Sequence, residues 1–318
     1  MQFGALENKP RYAVAEAINR TCKMRKRATL QIWSAAKRSG KYAMSLGRAK
    51  RSKPVRGLLL NQKGTVNMEL KKMISESEKV QVYESDGKCV KVFKDPDEPK
   101  SVVLYEALTH TRVEETGFAR IPQFEGIVKI DGKWAVIYQH IAGKTLDRLM
   151  KENPAKMDEY LDKMADLQIE INSLRSAKIS RLKDYLARSI ESLDMIDDVK
   201  KYDLLSRLNT MPKHIKLCHG DFSPDNIIVN GDGVFIVDWL KAKQGNASAD
   251  VAKTYLNFCL NHQTERAEKY LKIYCSKTGT PIKYVHSWLP IVAAAQLKFR
   301  RPEQRELLLT WIDIADYQ

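Results

Sequence analysis

Several things are scarce in this sequence, and each scarcity removes a class of function. No stretch of the 318 residues approaches the roughly 18 consecutive apolar residues that a membrane-spanning helix needs. The N-terminus has basic residues but no apolar core behind them, so it does not read as a secretory signal. Of the five cysteines (Cys22, Cys89, Cys218, Cys259 and Cys275), no two form a C-x-x-C pair and none has a histidine at zinc-ligand spacing. The six histidines do not cluster either. A transition-metal site is therefore not expected, and the cysteines read as buried, reduced thiols of a cytoplasmic protein.

Acidic residues are nearly missing from the start of the chain. The first 67 residues hold 16 of the 54 Lys/Arg but only two of the 39 Asp/Glu, Glu7 and Glu16, for a net charge of +14. The other 251 residues carry +1, so the overall +15 is not a property of the body of the protein. Any electrostatic attraction to nucleic acid is confined to residues 1–67 and would be non-specific. That segment has few apolar patterns and is expected to be a disordered extension outside the core. It reads as a nucleic-acid arm, through Arg25-Lys26-Arg27 and the basic residues 48–56. It also reads as an acid-poor transit segment, and the favoured reading is sequence upstream of a true start at Met68.

From Met68 the pattern becomes that of a folded domain. Lys79–Tyr83 alternates like a half-buried strand, Asp86-Gly87 is a hairpin turn, and Cys89–Phe93 is the returning strand. A helix is expected from about Ser101 to Thr116, with Val103, Leu104, Leu108 and Val113 on its apolar side. Gly126–Ile130 and Trp134–Tyr138, joined by Asp131-Gly132, complete a small antiparallel sheet. After Gly143 the periodicity is mostly helical, with helices expected at Ser248–Leu260, Thr264–Thr278, Ile282–Leu297 and Pro302–Ala315. Two short strands, Ile227–Val229 and Val234–Val237, flank Gly231-Asp232-Gly233. Residues 68–140 and residues 141–318 are expected to form two separate lobes.

One segment carries chemistry: Cys218-His219-Gly220-Asp221-Phe222-Ser223-Pro224-Asp225-Asn226, followed by Val237-Asp238-Trp239. Phosphoryl transfer needs a carboxylate at the attacking hydroxyl, an oxygen ligand for Mg²⁺, and a second carboxylate joining that metal to the nucleotide phosphates. An Asp and an Asn five residues apart on one loop, then a hairpin that returns another Asp, supply all three. Kinase catalytic loops have this D-x-x-x-x-N spacing.

At these residues the chain resembles the aminoglycoside phosphotransferase and choline kinase superfamily, in which H-G-D-x-x-x-x-N and I-D-W mark the site. Gly245-Asn246-Ala247-Ser248-Ala249-Asp250 is similar to a further motif of that family, and the resemblance runs from about Met68 to the C-terminus. It implies an α+β, two-lobed protein-kinase-like fold, with a small antiparallel N-lobe sheet, one helix, and a larger helical C-lobe. It also implies a kinase that moves the γ-phosphate of ATP or GTP to a hydroxyl of a small acceptor such as an aminoglycoside, amino sugar or amino alcohol. Asp221 would be the base and Asn226 and Asp238 the Mg²⁺ ligands. His219 would pack the loop, and Asp250 would organise it through backbone N–H groups. Asp225 reads as a surface residue beside Pro224.

The nucleotide side is read from the first lobe. Lys91 on the second strand and Glu106 on the helix match the strand-lysine and helix-glutamate ion pair of kinases, with Glu114 and Glu115 as rival partners. Gln139-His140-Ile141 would be the hinge that meets the base. The phosphate loop, Ser75-Glu76-Ser77-Glu78-Lys79, has no glycine, leaving Ser75 and Ser77 to bond phosphate beside two unfavourable glutamates. For the acceptor, Trp288, Trp311, Tyr284 and Tyr317 could make an aromatic cage for a quaternary ammonium, although aromatics at helical spacing more often belong to the core. Asp313 and Asp316 would bind amino groups instead. Gly220 points away from choline, because choline kinases resembling this motif often carry Asn there. A nucleotide-binding pseudoenzyme, favoured by the glycine-free loop, and a nucleic-acid-binding protein remain the other readings.

Overall fold

The computed structural model describes residues 68–299 and 302–313, all within one compact unit. The expectations for residues 1–67, and those for Asp316 and Tyr317, lie outside the described residues.

The first lobe is a five-stranded antiparallel sheet of order β1-β2-β3-β5-β4: β1 Lys72–Glu76, β2 Val80–Ser85, β3 Lys88–Phe93, β4 Phe124–Ile130 and β5 Lys133–Gln139. Two of its hairpins turn on Asp-Gly pairs. Asp86 and Gly87 have φ of 51° and 74°, and Asp131 and Gly132 have 49° and 80°. Two consecutive positive φ values match the strand twist of a tight hairpin, which is why Asp-Gly recurs at both.

Helix α1, Lys100–Glu114, follows β3 and packs on this sheet. Its buried face is Val103, Glu106, Ala107, His110 and Val113. Leu104 and Leu108, placed on that face by the sequence reading, are 46% and 47% exposed. The helix has apolar residues on most sides, so periodicity does not choose its face. An inward Glu106 and His110, the latter bonded to Pro122 O at 2.7 Å, do.

The second lobe begins with β6 Lys144–Thr145 and helices α2 Leu146–Glu152, α3 Met157–Ser173, α4 Leu182–Glu191 and α5 Asp198–Thr210. Asp197 caps α5, its carboxylate accepting the Lys200 N–H at 2.7 Å. Strand β7, Lys216–Cys218, pairs with β10, Lys243–Gly245. β8 Ile227–Asn230 and β9 Gly233–Ile236 form a hairpin that also pairs with β6. Helices α6 Ala247–Leu260, α7 Thr264–Thr278, α8 Ile282–His286, α9 Leu289–Gln296 and α10 Pro302–Asp313 complete the lobe. The single helix expected over 282–297 is broken in two. Pro290 has no N–H to continue α8 and instead starts α9.

The second lobe's core contains Phe222, Trp239, Tyr270 and Trp288, all fully buried. Among the described residues no helix is long and apolar enough to cross a membrane.

Candidate active site

The loop between β7 and β8 is held from below by one carboxylate. Asp250, near the start of α6 and 3% exposed, accepts the His219 N–H at 3.0 Å, the Gly220 N–H at 2.8 Å and Gln168 Nε2 at 3.1 Å. His219 ties the loop to the strand that precedes Asp238. Its Nε2–H donates to Val237 O at 3.1 Å, and its Nδ1 accepts the Asp221 N–H at 3.2 Å, which assigns the Nε2–H tautomer. Burial lowers the imidazole pKa and keeps the ring neutral, and its centre lies 4.4 Å from that of the Trp239 ring, the two tilted by 52°. His219 thus fixes the path of the loop.

Gly220 has φ of +76°, and a Cβ there would lie 2.2 Å from Lys241 O. Left-handed backbone and a clash with backbone act together, so Gly220→Ala is expected to cost about 3 kcal/mol of stability, measured by urea unfolding.

Asp221 and Asn226 then emerge from one loop. Asn226 Nδ2 donates to Asp221 O at 2.9 Å, which leaves Oδ1 as the outward end of the amide. Val237 N–H donates to Asn226 O at 3.0 Å and brings the β8–β9 hairpin's far end back to the loop. Asp238 follows with φ of 61°, a left-handed residue that turns the chain into a short 3₁₀ segment, Trp239–Lys241.

Across the cleft, Lys91 Nζ lies 2.9 Å from Glu106 Oε1 and 3.3 Å from Asp238 Oδ1. Burial works to lower the lysine pKa, but the Asp238 and Glu106 carboxylates outweigh it and the net shift is upward. Tyr138 OH donates to the same Glu106 oxygen at 3.0 Å. The rival glutamates are engaged elsewhere: Glu114 accepts the Phe124 N–H at 2.7 Å and Glu115 pairs with Lys178 at 2.7 Å.

The nucleotide-side loop is shorter than the sequence implies. Ser75 and Glu76 belong to β1, and the turn itself is Ser77-Glu78-Lys79. Ser77 Oγ spans the turn, 3.3 Å from both Val80 N and Val80 O. Glu76 is held by Lys94 at 2.6 Å and by Gln81 Nε2 at 3.0 Å, so its charge is met inside the lobe. In the hinge, Gln139 N–H donates to Gln123 O at 2.9 Å and His140 N–H to Gly87 O at 3.1 Å. Among the described residues Ile141 N–H has no backbone partner.

Beside Asp221 lies a cavity of about 830 Å³ walled by Asp221, Lys241, Lys243, Lys253, Tyr105 and Arg188, among others. Lys241 Nζ contacts Asp221 Oδ2 at 2.6 Å, and Lys253 Nζ donates to Gly220 O. Burial would raise the Asp221 pKa, but Lys253 and Lys241 more than reverse this and hold it at about 2. The sequence reading missed all three lysines. Their only sequence signal is position, three residues after Asp238 and Asp250 and five after Asp238.

The aromatic cage does not form. Trp288 is fully buried, Tyr284 OH accepts from Asn246 Nδ2 at 2.7 Å, and Trp311 packs edge-on against Tyr255 at 5.8 Å. Asp313 pairs with Lys200 at 3.2 Å.

The arrangement has counterparts among solved structures. A thermostable mutant of aminoglycoside phosphotransferase APH(4)-Ia, in ternary complex with ADP and hygromycin B, superposes with a TM-score of 0.57 at 14% identity, over 77% of this chain and 92% of that one. Choline kinase LicA from Streptococcus pneumoniae gives 0.54 at 13%, over 77% and 93%. The GDP complex of wild-type aminoglycoside 2'-phosphotransferase-IIIa gives 0.50 at 16%, over 78% and 93%. These likenesses establish the two-lobed kinase-like fold. Comparison with curated proteins gives no match. The sequence profile of the phosphotransferase enzyme family matches residues 81–284, a span that runs from β2 to α8 and includes every residue at the cleft from Lys91 to Asp250. That span is more than half of the chain, and the chain therefore belongs to the phosphotransferase enzyme family.

Proposed function

We propose that this phosphotransferase moves the γ-phosphate of ATP or GTP to a hydroxyl of a small molecule, with Asp221 as the base. The observation that carries the reading is the cleft itself. Lys91 bridges Glu106 and Asp238 from one side, while Asp221 and Asn226 leave a single loop on the other, Asp221 lining an 830 Å³ cavity.

In the proposed reaction the acceptor oxygen attacks the γ-phosphorus and its proton passes to the Asp221 carboxylate. The new O–P bond forms as the bond from phosphorus to the bridging oxygen breaks, and that electron pair leaves with the nucleoside diphosphate. Lys91, fixed by Glu106, would hold the α- and β-phosphates. Ile141 N–H is the hinge group left for the base, ahead of Gln139 and His140. Ser75 and Ser77 border the phosphates, Ser77 by shaping the turn.

The donor set suits Mg²⁺. Asn226 spends its nitrogen on Asp221 O and so presents an oxygen, and Asp238 is a carboxylate whose side chain is 41% exposed. Mg²⁺ takes oxygen ligands and is commonly bound by one or two carboxylates plus substrate phosphates rather than by a full protein cage. When bound, it would neutralise phosphate charge.

The glycine-free loop is weaker support for a pseudoenzyme once Glu76 is neutralised by Lys94. Purified full-length chain with ATP or GTP, Mg²⁺ and a panel of hydroxylated small molecules tests the function. Acceptor-dependent release of nucleoside diphosphate is expected. Nucleotide binding with no release across the panel would favour the pseudoenzyme.

Lys91→Met is expected to weaken nucleotide binding about tenfold, as loss of a charged hydrogen bond does. Glu106 would be left buried with only Tyr138, so stability should also fall by about 3 kcal/mol. Calorimetry and urea unfolding on the same protein check both.

A further inference from the structure

Two lysines near the cleft are largely buried, and they are neutralised very differently. Lys91 has two carboxylates. Lys243, 7% exposed, has none among the described residues. Its Nζ donates to Tyr105 OH at 3.1 Å and to Ala242 O at 3.1 Å, and it lies 5.6 Å and 5.4 Å from the ring centres of Tyr105 and Tyr185. Neutral oxygens and ring faces satisfy its protons but leave its charge uncompensated. Burying such a cation without a counter-ion is costly, and in proteins a buried charge is normally paired.

This lysine lines the cavity that also holds Asp221. Arg188, exposed and one turn along α4 from Tyr185, lines the same cavity and makes no ion pair among the described residues. Ser180 Oγ, 3.2 Å from Tyr105 OH, adds a hydroxyl. Three carboxylates, Asp221, Asp225 and Asp250, line the same cavity. Asp250 is taken by the loop N–H groups and Asp221 by Lys241, while Asp225 shares an adjoining recess with Asp147 and Lys151. A cationic amino sugar or amino alcohol would meet two positive charges there.

We propose that the acceptor is a small hydroxylated anion, whose carboxylate or phosphate group docks against Lys243, Tyr105, Ser180 and Arg188 and so directs its hydroxyl to Asp221. The inference rests on the phosphotransferase reading and names the substrate class of that same site.

The test uses the full-length chain saturated with Mg²⁺ and a non-hydrolysable ATP analogue. Binding of that analogue is measured first, and its failure would overturn the phosphotransferase reading rather than this one. Four probes of similar shape are then titrated by calorimetry: glucosamine, glucose, gluconate and glucose 6-phosphate. At least one anion should bind about tenfold tighter than glucose, the effect of one charged hydrogen bond, with glucosamine the weakest. Gluconate and glucose 6-phosphate separate the carboxylate from the phosphate source. Lys243→Met should remove the preference while analogue binding persists. Arg188→Ala, at an exposed position that does not threaten the fold, should reduce it. Both variants leave residues 1–67 unchanged, so anion binding to that basic segment cancels. Tighter binding of glucosamine, absence of binding by either anion, or an anion preference untouched by both substitutions would overturn the proposal. So would anion binding only without the analogue, which would assign Lys243 to the phosphate donor.

Discussion

Asp221→Asn is expected to lower kcat at least about a hundredfold, the span that a general base contributes, while nucleotide affinity is unchanged. Asparagine keeps the size of the side chain and an oxygen for Lys241, so the loop should keep its shape. What it loses is the proton acceptor. The carboxyl's pKa of about 2 adds a sign to the pH dependence. Asp221 stays ionised until the pH falls towards that value, so it should contribute no acid limb to kcat/KM near neutrality. Because the folded pKa lies below the ordinary one, the stability it contributes is present above about pH 4 and lost as the pH drops towards about 2. Lys241→Ala removes one of the two cations responsible and should move the acid limb upward. Near-normal turnover by Asp221→Asn would remove the base from the account.

Asp238→Ala should act on binding instead. Asp238 is both the proposed metal carboxylate and the second partner of Lys91, at 3.3 Å. Its loss is expected to weaken nucleotide binding in Mg²⁺ by about a hundredfold or more, since loss of a group that merely supports a metal ligand already costs ten- to a hundredfold. The signature is the disappearance of the Mg²⁺ dependence itself: affinities with and without Mg²⁺ should converge. Asp238→Asn keeps a hydrogen-bond acceptor for Lys91 and should separate the two roles, preserving stability while still losing the metal effect.

The parts of this molecule legible in the sequence are those written locally. Two Asp-Gly turns set the hairpins of the sheet, and both adopt positive φ at both residues. The Asp221-to-Asn226 spacing lies on one loop, and Asp238 returns through one hairpin. Lys91 and Glu106 were readable because a strand and the helix after it must pack together. The face of α1 was not readable, because Leu104 and Leu108 look as apolar as Val103, and only the inward Glu106 and His110 decide. The acceptor cavity was the least readable. Lys241, Lys243 and Lys253 are unremarkable in a chain with 54 basic residues, and they converge only when β10, α6 and the catalytic loop are folded together. Trp288 is a core residue, fully buried, the role that aromatics at helical spacing most often have.

The most direct measurement of the central claim, that Asp221, Asn226, Asp238 and Lys91 form one nucleotide-handling centre with divided roles, needs no knowledge of the acceptor. It is calorimetric titration of the full-length chain with a non-hydrolysable ATP analogue, with and without Mg²⁺, in the wild type, Asp221→Asn and Asp238→Ala. The account predicts Mg²⁺-dependent binding in the wild type, the same binding in Asp221→Asn, and loss of the Mg²⁺ dependence in Asp238→Ala. Wild-type affinity and Mg²⁺ dependence in Asp238→Ala, or equal loss in both variants, would contradict it.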